Sequence, residues 1–380
     1  MALDLYLNKG GKQLRYGYTT GSCAALAASA AARMLLTGKP VELACLMTPK
    51  GIPLEVEIEE AHIGPDHARC AARKDAGDDV DVTDGLLIFA EVCCNSNSGI
   101  SIAGGEGVGR VTRPGLDQPV GEAAINRVPR RMIEEAVQAA CHEAGYTGGL
   151  SVIISVPGGE AVAQRTFNPH LGIEGGISII GTSGIVEPMS VQALIDTIEA
   201  ELRMHRAEGA DRVVLTPGNY GETFLGSGLA LGHIPHAKCS NYIGDAIDLA
   251  ASIGYRELLL VGHIGKLVKV AGGIMNTHSS VADGRAEIMA AHAALCGATQ
   301  ETVAAIMDSS TTDAALDILE SVDLVEPVTN GLLMGIQRHL DRRSGGRLQV
   351  GAVLFSNTRG LLGKTTGADT LIAQWEDAHG

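Results

Sequence analysis

The residues best suited to chemistry are Gly262-His263-Ile264-Gly265-Lys266, which follow the apolar run Leu258-Leu259-Leu260-Val261. A Gly-rich turn from strand into helix leaves backbone N–H groups without helical partners, and such groups bind anions. Lys266 adds a point charge beside them. His263 is a candidate acid, base or hydrogen-bond donor; it reads equally well as a structural histidine. Three more apolar runs end in small polar residues: Gly181-Thr182-Ser183-Gly184, Thr216-Pro217-Gly218-Asn219 and Ser240-Asn241. In a wound α/β sheet the carboxyl ends of strands are where ligands sit. The coincidence predicts a binding site made from Gly181, Thr182, Ser183, Gly184, Gly218, Asn219, Asn241, Gly262 and Gly265. The 181–184 turn lacks the full G-x-G-x-x-G pattern, so a plain left-handed turn is the competing reading.

Other constellations carry less. Asn276-Thr277-His278-Ser279-Ser280, with Asp283 and Arg285 just beyond, either shapes a pocket wall or caps a helix. His233-x-x-His236-x-x-Cys239 has zinc-type ligands. Pro235 breaks any helix that would align them and no second pair stands at suitable spacing, so no metal site is expected. Cys93-Cys94 reads as two strand residues facing opposite ways. Arg110, Arg113, Arg127, Arg130 and Arg131 form the densest basic set. Arg130 and Arg131 are expected in a helical first turn, where the dipole disfavours cations. A bound anion would compensate there, and so would Glu134 and Glu135.

These residues need elements to position them. Residues 20–37 predict an Ala-rich helix, capped by Thr19, Thr20 or Ser22 and stopped by Gly38 and Pro40. A strand follows at 41–47. Leu54, Val56 and Ile58 alternate with Glu55, Glu57 and Glu59, the period of a half-exposed antiparallel strand. Strands near 85–92 and 150–156 flank a helix starting at Pro129. From 176 the pattern becomes strand then helix, repeated: 177–180, 213–215, near 239, and 258–261. That alternation predicts a parallel sheet with helices on both faces. Residues 281–343 read as helical, and Val350 to Phe355 as a last strand. The expected architecture is an α+β domain over 1–175, a Rossmann-like α/β domain over 176–360, and a tail over 361–380.

Bulk properties narrow the class. The 380 residues include 49 glycines, well above the usual ~7%, placed at the ends of apolar runs. The formal net charge of -15 argues against a nucleic-acid binder. Residues 101–131 nevertheless carry five Arg against three acids, and 255–285 carry four basic against two acidic residues. These basic stretches coincide with the Gly-rich ones. The eight cysteines show no secreted-type framework, no run of 18 apolar residues occurs, and no signal segment opens the chain. A soluble cytoplasmic protein is expected, with no membrane partner; a homo-oligomer is left open.

Leu14-Arg15-Tyr16-Gly17-Tyr18-Thr19-Thr20-Gly21-Ser22-Cys23 resembles the opening of the CbiD family, the cobalt-precorrin-5B C(1)-methyltransferases of anaerobic cobalamin synthesis. The likeness continues through Pro157-Gly158-Gly159-Glu160, Thr166-Phe167-Asn168-Pro169-His170-Leu171-Gly172-Ile173, residues 175–186, Gly218-Asn219, Ser240-Asn241, Gly262–Lys266, Asn276–Ser279 and Asp283-Gly284-Arg285. It spans residues 14–360 in the family's order. His170 departs from it, since Arg or Lys is expected there. The resemblance implies S-adenosylmethionine as methyl donor and a cobalt-containing tetrapyrrole as acceptor, with cobalt present only as part of the substrate. The product would be cobalt-precorrin-6A. An acceptor fringed with carboxylates suits Arg15, Thr19, Thr20, Arg113, Arg130, Lys266 and His278 as contacts. Methyl transfer is an in-line displacement in which positioning carries much of the catalysis, so His263 is expected to position rather than to act as an obligatory base. A non-catalytic corrinoid carrier and a nicotinamide-linked oxidoreductase are the rival classes. The missing dinucleotide fingerprint counts against the latter.

Overall fold

Small side chains on every face let the helix Thr20–Thr37 sink into the interior, and 14 of its residues are buried. A helix apolar all round belongs in a core. Thr19 caps it by accepting the Ser22 N–H, and Gly38 ends it in the left-handed conformation. The structure, a computed structural model, describes residues 3–96, 98–229 and 231–377. The chain divides into two compact units, Met1–Val191 and Gln192–Gly380.

In the first unit the buried helix packs on a six-stranded sheet and against the helix Arg127–Ala144. The strand order is Leu43–Met47, Pro53–Ile63, His67–Arg73, Leu87–Asn95, Gly149–Ser155, Ile100–Gly104. All neighbours are antiparallel except the last pair. The Leu54/Val56 face is buried and the Glu55/Glu57 face exposed, as the alternation predicts. Cys93 and Cys94 lie in one strand, opposite Ser151 and Leu150. Between the third and fourth strands runs the acidic loop 74–85. Its carboxylates work as backbone acceptors: Asp78 takes the Arg15 N–H at 2.6 Å, Asp84 the Ala76 N–H at 2.8 Å, and Asp81 the Thr83 N–H at 2.8 Å. Burial opposes ionisation of Asp75, but its two bonds to the Arg15 guanidinium prevail and its pKa falls below the usual carboxylate range.

In the second unit the sheet order is His236–Lys238, Arg212–Thr216, Glu257–His263, Gln349–Ser356, Gly360–Lys364. The first four strands are parallel and the last is antiparallel. Leu258 to Val261 and Val350 to Phe355 are buried without alternation, as expected where helices cover both faces. The helical stretch resolves into Arg285–Leu295, Gln300–Met307, Thr312–Glu320 and Val325–Ser344. Among the described residues no helix is long and apolar enough to cross a membrane.

Three expectations need correction. Residues 177–180 are not the first strand of the parallel sheet. Ile177 and Ile179 make single bridges to Val108 and Ile125 and are buried in the core of the first unit. The division accordingly falls after Val191 rather than after 175. The expected tail is structured: Gly360–Lys364 extends the sheet, and the helix Thr366–Asp377 buries Trp375, whose indole N–H donates to the Glu257 carboxylate. Its short apolar spacing had no motif to announce it.

One contact in the first unit admits no side chain at all. At Gly107 the backbone lies in the left-handed region, with φ 69°, and a Cβ there would fall on the Val156 carbonyl oxygen. Gly159 and Gly176 press against the Gly107 carbonyl from two other segments. We predict that Gly107→Ala lowers unfolding stability by roughly 3–5 kcal/mol, measured by urea denaturation; a loss under 1 kcal/mol would show that the three segments separate easily.

Candidate functional site

The four parallel strands of the second unit all deliver polar residues at their carboxyl ends. Thr216 leads into Pro217-Gly218-Asn219, Lys238 into Ser240-Asn241, His263 into Gly265-Lys266, and Ser356 into Thr358. Two helices, Asn219–Gly228 and Ile264–Ala271, begin at this edge with their N-termini toward it. The first has no side-chain cap, and the buried Thr216 hydroxyl beside it has no hydrogen-bond partner among the described residues.

Lys266 joins two of the tips. Its half-buried ammonium donates to the carbonyls of Pro217 and, at 3.3 Å, Ser240. Burial lowers its pKa. It is therefore a fixed internal cation, and its role as an outward-reaching carboxylate contact is corrected to one of holding the edge together. Gly218 lies beside it with φ 176°, an extended conformation open to any residue. A Cβ at Gly218 would meet only the Lys266 Nζ, at 4.0 Å. No packing demand explains this glycine, and it borders open space. Gly262 differs, for a Cβ there would press on Leu267 at 2.9 Å. Gly265 donates its N–H to His263 Nδ1 at 3.0 Å.

His263 caps the helix that follows it through that same bond. Its Nε2 lies 3.9 Å from Asp313 Oδ2. Burial lowers its pKa and Asp313 partly opposes the shift. Asn241 takes the Thr277 N–H on its carbonyl at 2.9 Å and the Thr277 hydroxyl on its side chain at 3.2 Å. The 276–280 segment is thereby docked beside the strand tips. His278 is exposed there, its Nδ1 accepting from Ser280 N–H at 3.2 Å.

Several sequence candidates are not at this edge. Gly181, Thr182, Ser183 and Gly184 belong to the first unit, where their segment closes the N-terminus of Thr20–Thr37. Ile180 O accepts the Gly21 N–H at 3.0 Å, and Gly184 O accepts the Thr19 N–H at 3.1 Å and the Ser22 hydroxyl at 2.7 Å. Gly181, at φ 131°, is glycine because a Cβ would strike Thr19. Thr19 and Thr20 are buried and serve the same joint, Thr20 accepting the Ile180 N–H at 2.9 Å. Arg15 is held by Asp75. Arg130 donates to the carbonyls of Ile125 and Ile102 at 2.9 and 3.1 Å. Its helix begins at Arg127, so Arg130 lies past the first three residues and spends its charge on carbonyls. Arg113 stays on the surface, folded over Gly172, with a 3.4 Å bond to the His170 carbonyl. Among the described residues no three metal-ligating side chains converge, and burial pushes the Cys239 thiol up to about 12.

Asp313, Ser356 and Thr358 escaped the sequence reading. Asp313 sat in an acidic helical stretch and had no local signal. Ser356 and Thr358 follow an apolar run, as the other tips do, and that shared pattern is their signal.

The CbiD family profile matches residues 7–188, and that of the CbiD C-terminal domain matches 276–366. A "Cobalt-precorrin-5B C(1)-methyltransferase" of Ruminiclostridium cellulolyticum is 48% identical over 93% of this chain and 92% of its own. One of Alkaliphilus metalliredigens is 44% identical over 97% of each. A crystal structure described as a cobalamin biosynthesis protein (CbiD) from Archaeoglobus fulgidus is 32% identical, covering 70% of this chain and 83% of that one, with a TM-score of 0.40.

Burial governs how His263 titrates. Its ring should titrate below the ordinary value near 6.5, so it is neutral at pH 7. Its contribution to stability is present above that ordinary value and is lost as pH falls through the lower folded value. Removing the opposing carboxylate with Asp313→Ala should move the midpoint further down. A ring-proton NMR titration reads both; a midpoint above 6.5 would contradict the burial argument.

Proposed function

The chain belongs to the CbiD family, and from that premise we propose how the carboxyl edge of its second unit serves the reaction. The chain is a methyltransferase acting at C-1 of cobalt-precorrin-5B in cobalamin biosynthesis. The donor is S-adenosylmethionine, and it binds on a Rossmann-like sheet at Gly218, Asn219, Asn241 and Gly265. The observation that supports this placement best is Gly218. It is a glycine with ordinary backbone geometry and open space beside it, at an uncapped helix N-terminus, where an added Cβ would come within 4.0 Å of the half-buried Lys266 ammonium. The amides there suit a carboxylate.

In the displacement, the methyl carbon bonds to ring C-1 while its bond to sulfur breaks. The electron pair leaves with sulfur as a neutral thioether. The chain must align three atoms and exclude water. His263 contributes a directed N–H, not a base: Nδ1 is occupied by Gly265, so the neutral ring carries its proton on Nε2. Within the first unit, Arg113 lies at the surface and is kept as a candidate contact for a macrocycle carboxylate. His278 is retained as a candidate of the second unit.

Incubation with methyl-labelled S-adenosylmethionine and cobalt-precorrin-5B, followed by mass and position analysis, should show one label at C-1. A product unlabelled under conditions that consume the acceptor would sink the reading. Gly218→Val should keep the unfolding midpoint and lose donor affinity by at least about tenfold, because the side chain fills ligand space only. Gly181→Val, in contrast, should fail by unfolding. His263→Gln should slow single turnovers by roughly ten- to a hundredfold, the lower part of the general acid–base range. Complete loss with both ligands bound would instead make proton transfer through His263 essential.

A further inference from the structure

Two polar groups at the carboxyl edge face each other across a gap that neither fills. His263 is fixed on one side. Its Nδ1 accepts the Gly265 N–H, and its ring stands edge-on to Phe355, with centroids 5.7 Å apart at 85°. Phe355 is itself stacked on Phe224 at 4.4 Å. The neutral ring therefore points Nε2–H outward in a set direction. Asp313 is fixed on the other side, in the first turn of Thr312–Glu320, where the helix dipole favours a carboxylate. Its Oδ1 accepts from Ser356 at 2.6 Å and from Thr358 at 3.1 Å. Its Oδ2 has no hydrogen bond among the described residues. Oδ2 and Nε2 are 3.9 Å apart, too far to bond directly. Both side chains are partly exposed, 22% for His263 and 33% for Asp313, so the gap is open to a ligand.

An oxygen about 2.8 Å from each atom would close it. That oxygen must accept from Nε2–H and donate to Oδ2. A hydroxyl does both; an ammonium has no lone pair to accept with, and a carboxylate has no proton to give. We propose that His263 and Asp313 form the seat of one ribose hydroxyl of the methyl donor, and that this pair sets the preference for a nucleoside with an intact ribose. The inference rests on the reading that the donor binds at this edge. Ser356 and Thr358 are positioning residues in it, since they act by orienting the Asp313 carboxylate.

The test is calorimetric binding of S-adenosylhomocysteine and its 2′-deoxy and 3′-deoxy forms to the full chain. One deoxy form should bind about ten- to a hundredfold more weakly than the parent, the loss expected for a bond to a charged acceptor. Asp313→Ala should cut that difference to a few-fold, because only the Nε2–H of His263 still reaches the hydroxyl. His263→Phe approaches from the other wall and should also reduce it, leaving the bond to Asp313, so the result does not hang on one variant's folding. Equal binding of all three ligands by the unaltered chain overturns the seat, as does a deoxy penalty that keeps its full size in both variants. Gly218→Val separates the two readings. If it leaves parent affinity unchanged, the donor lies elsewhere and both fall. If it abolishes binding while the unaltered chain binds the deoxy forms equally well, the edge holds the donor and the hydroxyl seat alone is wrong.

Discussion

A helix buried on every face must have its terminal N–H groups paired inside the protein, because no water reaches them. For Thr20–Thr37 the partners come from a segment some 160 residues further on. Ile180 and Gly184 supply carbonyls, Thr19 supplies its hydroxyl, and Gly181 gives the backbone room to approach. That requirement decides where 177–186 must lie. It draws the segment into the first unit, and the three-way glycine contact at Gly107, Gly159 and Gly176 fixes the path leading to it.

This explains which parts of the fold were legible in advance. The Ala-rich helix, the Glu/Leu alternation at 53–59 and the unbroken apolar runs at 212–216, 257–263 and 349–356 carry local signals of their own, and the elements formed where these pointed. Residues 177–180 carry the same short apolar signal but pair only through single bridges. An apolar run reports that a segment is buried, not which neighbour buries it. The strand and helix beyond residue 360 went unseen for the same reason: what orders them is the uncovered edge of Gln349–Ser356 and a slot for Trp375.

The candidate site divides along a similar line. Gly218, Asn241, His263 and Gly265 were legible because each follows its own strand, and the parallel sheet puts such tips in one row. Gly181 to Gly184 looked alike in sequence, yet their glycines answer a packing need at Thr19. Arg15, Arg130 and Lys266 were identified by charge, and in each case the charge is turned inward on a carboxylate or on carbonyls. Charge in a sequence says nothing of direction. Asp313 illustrates the converse: it reaches the tips from a helix inserted between two neighbouring strands, and only the folded chain reveals it.

That insertion has a consequence during synthesis. Glu257–His263 pairs along its whole length with Gln349–Ser356, and the whole of 264–348 must be made in between. At about 5–20 residues per second the ribosome takes roughly 4–17 seconds to deliver the partner. For that interval the nascent chain carries the apolar run Leu258 to Val261 with one flank open, a template for strands of other chains. The helices made meanwhile lay Leu267, Met289, Leu316 and Leu332 into the same core cluster as Leu258 and Leu260. They can shield one face of the strand before its neighbour arrives, but not its hydrogen-bonding flank, so the pace of translation through 264–348 becomes a determinant of yield.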